Sequence, residues 1–277
     1  MKNKKVIVLS GYCYGGTNIA WNLLQSHPQI CSPIRETGQL FHDSTFLRIC
    51  HAMPSFMLSP FLLKRMDGVF AGLKRSNLSH EDNRYVAEGV PYERHEVEAA
   101  ALCFKSVNYD INLTEELLKV YPDLHFIALS RNGYALCDGY LRRGYSAAEF
   151  GRIYSEIAEI MGRYAGLIPR FKMVKFEDIV NDPFGAAEDL YRFVGVKPTG
   201  IDRLRLKVKK TINDGGEHVV SYGSERRKYW FTRESIGDLL DPAIDAKQLE
   251  RLPPQSARDF EKEAKPALDY FGYCRLG

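Results

Sequence analysis

Buried-strand and amphipathic-helix patterns alternate through most of the chain. Residues 5–10 (KVIVLS) form a short, nearly unbroken apolar run, the pattern of a strand covered on both faces. A glycine-rich turn from Gly11 to Thr17 follows. Ile19, Ala20, Leu23 and Leu24 then recur at helical spacing until Ser26-His27-Pro28 ends the helix. Further strands are predicted over residues 101–105 and 125–130, with a helix from Leu113 to Val120 between them, closed by Tyr121-Pro122-Asp123. Phe150, Ile153, Tyr154, Ile157, Ile160 and Met161 share one face of a helix predicted over 147–165. A fourth strand, 171–176, leads to Asp182-Pro183, an N-cap with proline at the first helical position, opening a helix to about Val194. Strands alternating with helices predict an α/β fold, a parallel sheet covered on both sides. Residues 41–95 and 200–277 break the rhythm and read as insertions or lids on a single domain spanning 1–277.

Composition narrows the class. An apolar fraction of 45% against 26% charged residues gives enough material for a packed core and excludes disorder. The apolar run Val6 to Leu9, behind Lys2, Lys4 and Lys5, is too short for a secretory leader or for the roughly 18 residues of a membrane span. Six scattered cysteines (13, 31, 50, 103, 137 and 274) contain no C-x-x-C pair, so free thiols in a reducing, cytoplasmic setting are expected, with no metal site. A net charge of +3 is too small to imply nucleic-acid binding but is compatible with a local pocket for an anion.

The glycine-rich turn is the first candidate for that pocket. The backbone N–H groups of Gly15, Gly16, Thr17 and Asn18 would face a ligand at the positive end of a helix, and glycine lets the backbone approach phosphate oxygens. No Gly-Lys-Ser/Thr follows, which excludes a nucleoside-triphosphatase loop, and the segment is not Gly-x-Gly-x-x-Gly. Taken alone, the turn also fits a tight strand–helix connection that binds nothing.

Three segments favour the ligand-binding reading. Residues 9–28 (LSGYCYGGTNIAWNLLQSHP) resemble the 5′-phosphosulfate loop and first helix of the PAPS-dependent sulfotransferases. Residues 121–133, ending Ser130-Arg131-Asn132-Gly133, are similar to that family's strand closing in Arg-Asp/Asn-Pro before the 3′-phosphate helix. Residues 174–196, with Glu177-Asp178, Asp182-Pro183 and a Phe-Val-Gly ending at Gly195, are similar to its Tyr-Glu-Asp-Leu…Asp-Pro…Phe-Leu-Gly segment. The resemblance, in order over residues 5–196, implies a P-loop nucleotide-kinase-like fold with a helical lid insertion. It further implies transfer of a sulfuryl group from PAPS to a hydroxyl or amine of a small-molecule, glycan or lipid acceptor, with release of PAP and no metal. A 3′-phosphate needs a permanently charged planar donor, and Arg131 at a strand end is placed for it. The plainer role for Arg131 is a salt bridge.

Departures from the family pattern bear on the chemistry. Tyr14 stands where most members carry Lys or Arg in the loop, and a phenol brings no charge to the departing group. Lys105 is the replacement the resemblance offers, its plainer role being a solvated strand-end lysine. Gly139 falls where the family has a phosphate-binding serine, and Ser130 is a substitute hydroxyl. The histidine base of the cytosolic small-molecule branch falls on Val107, so the resemblance points instead to the Glu-base branch and to Glu36, with Arg35 as its neighbour. His42 is the reserve base, while Glu177 and Asp178 read as braces of the strand end. The basic, aromatic run Ser224–Arg233, containing Arg226, Arg227 and Lys228, resembles the loop that closes over the 3′-phosphate, or is a solvated charge run beside a buried Trp230. Apolar residues crowding 46–70 pack a lid or core, or line an acceptor pocket or a homodimer contact. Two further functions stay open: a PAPS/PAP-binding protein that has lost catalysis, and an ATP-dependent small-molecule kinase.

Overall fold

A computed structural model describes residues 2–76, 93–198, 201–207, 211–212, 218–219 and 228–274. The chain runs β1 (Val6–Gly11), α1 (Thr17–Ser26), β2 (Ile30–Cys31), α2 (Thr37–Asp43), α3 (Thr45–Ala52), α4 (Pro60–Ser76), α5 (Arg94–Ala99), β3 (Ala101–Val107), α6 (Thr114–Val120) and β4 (His125–Ser130). It continues through α7 (Gly133–Leu141), α8 (Ala147–Leu167), β5 (Phe171–Lys175), α9 (Phe176–Asn181), α10 (Pro183–Phe193), β6 (Leu204–Lys207), β7 (Thr211–Ile212), β8 (His218–Val219), β9 (Lys228–Phe231), α11 (Ile244–Arg251) and α12 (Pro254–Phe271). The predicted strands and helices occur within a few residues of their expected bounds. Phe176 is the exception: it opens α9 instead of ending β5.

The main sheet has the order β2-β3-β1-β4-β5, every described pair parallel, so β1 lies at its centre. Alternation along β1 explains its continuous apolar run. Val6 and Val8 join a core with Phe104, Phe126 and the helices α4 and α8, while Ile7 and Leu9 join a second core with Leu23, Ile127 and Leu190. Each such aliphatic side chain contributes on the order of 1.5–3 kcal/mol by leaving water. Two small antiparallel pairs, β6 with β9 and β7 with β8, lie outside this sheet.

Both segments expected to be lids contribute to the core. In the first, Leu47, Cys50, Met66 and Phe70 are buried, and among its described large apolar residues Ile49, Phe56, Met57 and Phe61 stand exposed. In the second, α12 lies along α8, with Phe260, Leu268 and Phe271 buried. That helix pair approaches closely because Gly151 has no side chain: a Cβ there would sit 2.7 Å from Glu263 Cβ and 2.8 Å from the Phe260 carbonyl oxygen. The C-terminal helix is thus part of the packed core. Among the described residues no helix is long and apolar enough to cross a membrane.

A buried carboxylate ties the chain's start to α4. Asp67 accepts from the backbone N–H groups of Lys2 and Asn3 (3.1 Å for Asn3), from the Asn3 amide at 3.0 Å and from the Tyr121 hydroxyl at 2.8 Å. Burial alone would raise its pKa, but these donors outweigh burial and hold it below the ordinary aspartate value. A depressed folded pKa stabilises the fold above the unfolded aspartate value near ~3.9, and that stability is lost as pH falls through the lower folded value. Asp67→Ala should therefore cost about 2–4 kcal/mol at neutral pH. Asp67→Asn should flatten the acid limb of the stability profile. Urea unfolding between pH 3 and 7 reads both, and an unchanged acid limb in Asp67→Asn would refute the assignment.

Candidate active site

The glycine-rich turn is fixed from below. At Gly11 a Cβ would lie 2.8 Å from the Leu129 carbonyl oxygen, so only glycine lets β1 pass β4 at its exit. Tyr12 turns inward, stacked on Tyr154 at 4.6 Å with its hydroxyl donating to the Tyr154 carbonyl at 2.9 Å. Cys13 N–H donates to Asn108 Oδ1 at 2.8 Å. Tyr14 takes φ +63°, unusual for a residue with a side chain, and Gly16 takes φ +88° at the N-cap of α1, where a Cβ would overlap the Phe176 ring. No side chain caps α1, so the N–H groups of Gly16, Thr17 and Asn18 lie at an open helix end. Gly15 differs from expectation: its N–H donates to the Tyr12 carbonyl at 3.0 Å and holds the turn itself.

Lys105 and Glu36 meet beside this helix end. The register places Lys105 next to Leu9, near the exit of β1, and its side chain is 2% exposed. Its Nζ lies 2.5 Å from Glu36 Oε1, donates to Asn18 Oδ1 at 2.5 Å, and stands 4.8 Å over the Trp21 ring. The ammonium is therefore a buried, directed cation and not a solvated strand-end charge. Glu36 occupies the N-cap of α2, its N–H donating to Gln39 Oε1 at 3.3 Å, and α2 is held to the strand by Thr37 Oγ1 donating to the Lys105 carbonyl at 2.9 Å. About a third of the Glu36 side chain is open to solvent. Arg35 is not its partner, because its guanidinium pairs with Asp43. His42 extends into solvent, and its ring nitrogen lies 3.1 Å from Asp43 Oδ1.

A second carboxyl stands near Glu36 that sequence reasoning missed. Burial first, and the charge of Glu36 next, raise the pKa of Asp110, against the pull of the Gly38 N–H. The signal was a glycine: a Cβ at Gly38 would overlap the Asp110 carboxylate. Arg35, Gly38, Gln39, His42, Asp43 and Asp110 line an open depression of about 460 Å³.

Arg131 emerges from β4, 6% exposed, over the Phe176 ring at 4.1 Å. Its fork is engaged: Nε and Nη2 donate to Asp245 Oδ1 at 2.9 and 2.5 Å, Nη2 to Gln248 Oε1 at 2.5 Å, and Nη1 to the Tyr14 carbonyl at 2.9 Å. The acidic partner comes from α11, which no local motif announced. Glu177 braces the same region, accepting from Asn132 N–H and from the Tyr273 hydroxyl, each at 2.8 Å. Burial pushes its carboxyl above the ordinary glutamate value, the N–H donors lower it, and the neighbouring Asp245 raises it again. Ser130 does not offer its hydroxyl to the site: it is fully buried, between the Val174 carbonyl at 3.4 Å and Tyr273 at 3.3 Å. Gly139 lies on α7, buried, its carbonyl accepting from Arg143 Nη1. Arg226 and Arg227 lie outside the described residues, and Lys228 enters only as the first residue of β9. Among the described residues no group of His, Cys, Asp and Glu is arranged to hold a metal.

Glu36, Lys105 and Asn18 thus meet at one side of the loop, and Arg131 reaches the carbonyl of Tyr14 from the other. Comparison with solved structures gives the same fold. The sulfotransferase domain of the Synechococcus PCC 7002 olefin synthase shares 17% identity over 98% of this chain and 96% of that one, with a TM-score of 0.55. The sulfotransferase domain of the curacin biosynthetic pathway shares 13% over 98% of each chain, with a TM-score of 0.57. No curated protein sequence matches the chain. The model of the sulfotransferase family matches residues 7–199. By that match, over a segment holding the loop, Glu36, Lys105 and Arg131, the chain belongs to the sulfotransferase family.

Proposed function

We propose that the chain transfers a sulfuryl group from PAPS to a hydroxyl or amine acceptor and releases PAP. The observation that carries this reading is the triangle of Lys105, Glu36 and Asn18 at the open end of α1. A donor seated with its phosphosulfate over the N–H groups of Gly16, Thr17 and Asn18 brings the bridging oxygen toward the buried Lys105 ammonium. The acceptor oxygen or nitrogen forms the new bond to sulfur as the bond from sulfur to the bridging oxygen breaks. The electron pair of that bond stays on the PAP phosphate, where Lys105 stabilises it, and the acceptor proton passes to Glu36. Sulfuryl transfer, like phosphoryl transfer, has a loose transition state, so a carboxylate that accepts the proton late is sufficient even while paired with lysine. The depression beside Glu36 gives the acceptor an approach, rimmed by Asp110 and Gln39.

Arg131 is the proposed 3′-phosphate ligand, and its present partners decide how. Asp245 presents a carboxylate where the phosphate would dock, so nucleotide binding exchanges one anion for another at the same guanidinium. The kinase reading loses ground on the loop, where Thr17 and Asn18 follow Gly16 in place of the Lys-Ser/Thr pair that holds the β- and γ-phosphates and Mg²⁺. The binding-only reading is answered by turnover. Calorimetric titration with PAP against ADP plus Mg²⁺ separates the donors: micromolar PAP binding with little ADP affinity is expected. Preference for ADP, or no binding of either, would overturn the proposal.

A further inference from the structure

The loop lacks a cation of its own, yet a cation stands on it. Arg143 places its guanidinium carbon 3.6 Å from the centroid of the Tyr14 ring, a stacking distance. Nη1 donates to the Gly139 carbonyl, so the guanidinium is held at two points. The backbone beneath it is equally fixed. Arg143 N–H donates to the Tyr140 carbonyl at 2.9 Å, and Gly144 N–H to the Leu141 carbonyl at 3.0 Å, with Gly144 at φ +87° closing the helix end. Tyr140 meets the Tyr14 ring edge-on at 5.6 Å and fixes its plane. Even under this cover Tyr14 remains 44% exposed, so the stack sits at the mouth of the loop.

Charge balance separates Arg143 from the other two cations around the loop. Lys105 is matched by Glu36, and Arg131 by Asp245. The adjacent Arg142 is matched by Asp138, which also takes Arg251. Among the described residues no carboxylate pairs with Arg143. Among the described cations around the loop, Arg143 is thus the one without a carboxylate partner.

Resting on the reading above, we propose that Arg143, stacked on Tyr14, is a donor-binding residue that supplies the loop's missing positive charge to the 5′-phosphosulfate end of the nucleotide. The two substitutions that set this chain apart then act together. A tyrosine in the loop provides a flat platform for a guanidinium, and the backbone at Gly139 anchors it through the carbonyl that accepts from Arg143 Nη1. Stacking keeps the planar group directed with its remaining N–H donors toward the ligand, which a lysine at 143 would not reproduce.

Calorimetry with PAP and with adenosine 5′-phosphosulfate tests this. Both nucleotides carry a 5′-phosphate, so Arg143→Ala should weaken both about ten- to hundredfold and to a similar extent. Arg143→Lys should recover only part. Adding Tyr14→Lys to Arg143→Ala should restore most of the PAP affinity, because the charge returns to the loop itself, an outcome that a merely structural Arg143 would not give. Wild-type affinity in Arg143→Ala would overturn this inference and leave the sulfuryl-transfer proposal standing, and so would the absence of rescue. Failure of the unmodified protein to bind PAP would overturn the sulfuryl-transfer proposal itself, and this inference with it.

Discussion

Glu36→Gln should lower turnover by about 10²–10⁴-fold while PAP affinity stays near that of the unmodified protein. Glutamine keeps an amide oxygen where Oε1 accepts from Lys105, so the buried ammonium retains a partner and the N-cap of α2 survives. What is lost is the capacity to take the acceptor's proton. Lys105→Ala should lower turnover by about 10²–10³-fold for a different reason, the loss of charge opposite the departing oxygen. Glu36 is left a third exposed in that variant, and solvation keeps its now unpaired charge from disrupting the fold. Steady-state PAP release with an acceptor found in a panel of phenols, sugars and amines gives turnover, and calorimetry gives PAP affinity. Equal losses of turnover and affinity in Glu36→Gln would remove Glu36 as the base. A Lys105→Ala variant with unchanged turnover would remove the lysine from the chemistry.

The fold and the loop were legible because their signals are local. A continuous apolar strand, the glycines at 11 and 16 and a capped helix at Asp182-Pro183 each announce a backbone conformation that only a few residue types allow. Partners were legible far less often. Lys105 and Asn18 are 87 positions apart, and Arg131 and Asp245 are 114 apart, so no spacing rule joins them. The sequence pattern therefore led to Arg35 as the neighbour of Glu36, when Asp43 on the next helical turns captures that arginine. It also set α12 aside as an appendage, since an amphipathic helix at a chain end does not reveal which face of the sheet receives it. The glycine at 38 carried information that went unread: inside a short helix, it marks a place where another group, here Asp110, comes too close for a side chain.

Arg131→Ala should weaken PAP by about 10²-fold and leave adenosine 5′-phosphosulfate, which lacks the 3′-phosphate, little changed. The single substitution carries a structural penalty as well, because it strands Asp245 in a nearly closed environment, a loss of about 3–5 kcal/mol for a broken buried pair. Arg131→Ala combined with Asp245→Ala removes both charges and isolates the affinity term, so the selective loss of PAP affinity, with adenosine 5′-phosphosulfate little changed, should persist in the pair of substitutions while thermal stability recovers. Asp245→Ala alone frees the guanidinium from its internal anion. It should bind PAP more tightly than the unmodified protein, by about tenfold, since the phosphate no longer displaces a carboxylate. The direction of that single change separates two roles. If Arg131 serves the 3′-phosphate, Asp245 is a competitor and its removal strengthens binding. If the pair is only a brace between β4 and α11, removing Asp245 loosens α11 and weakens or leaves unchanged the affinity for both nucleotides alike.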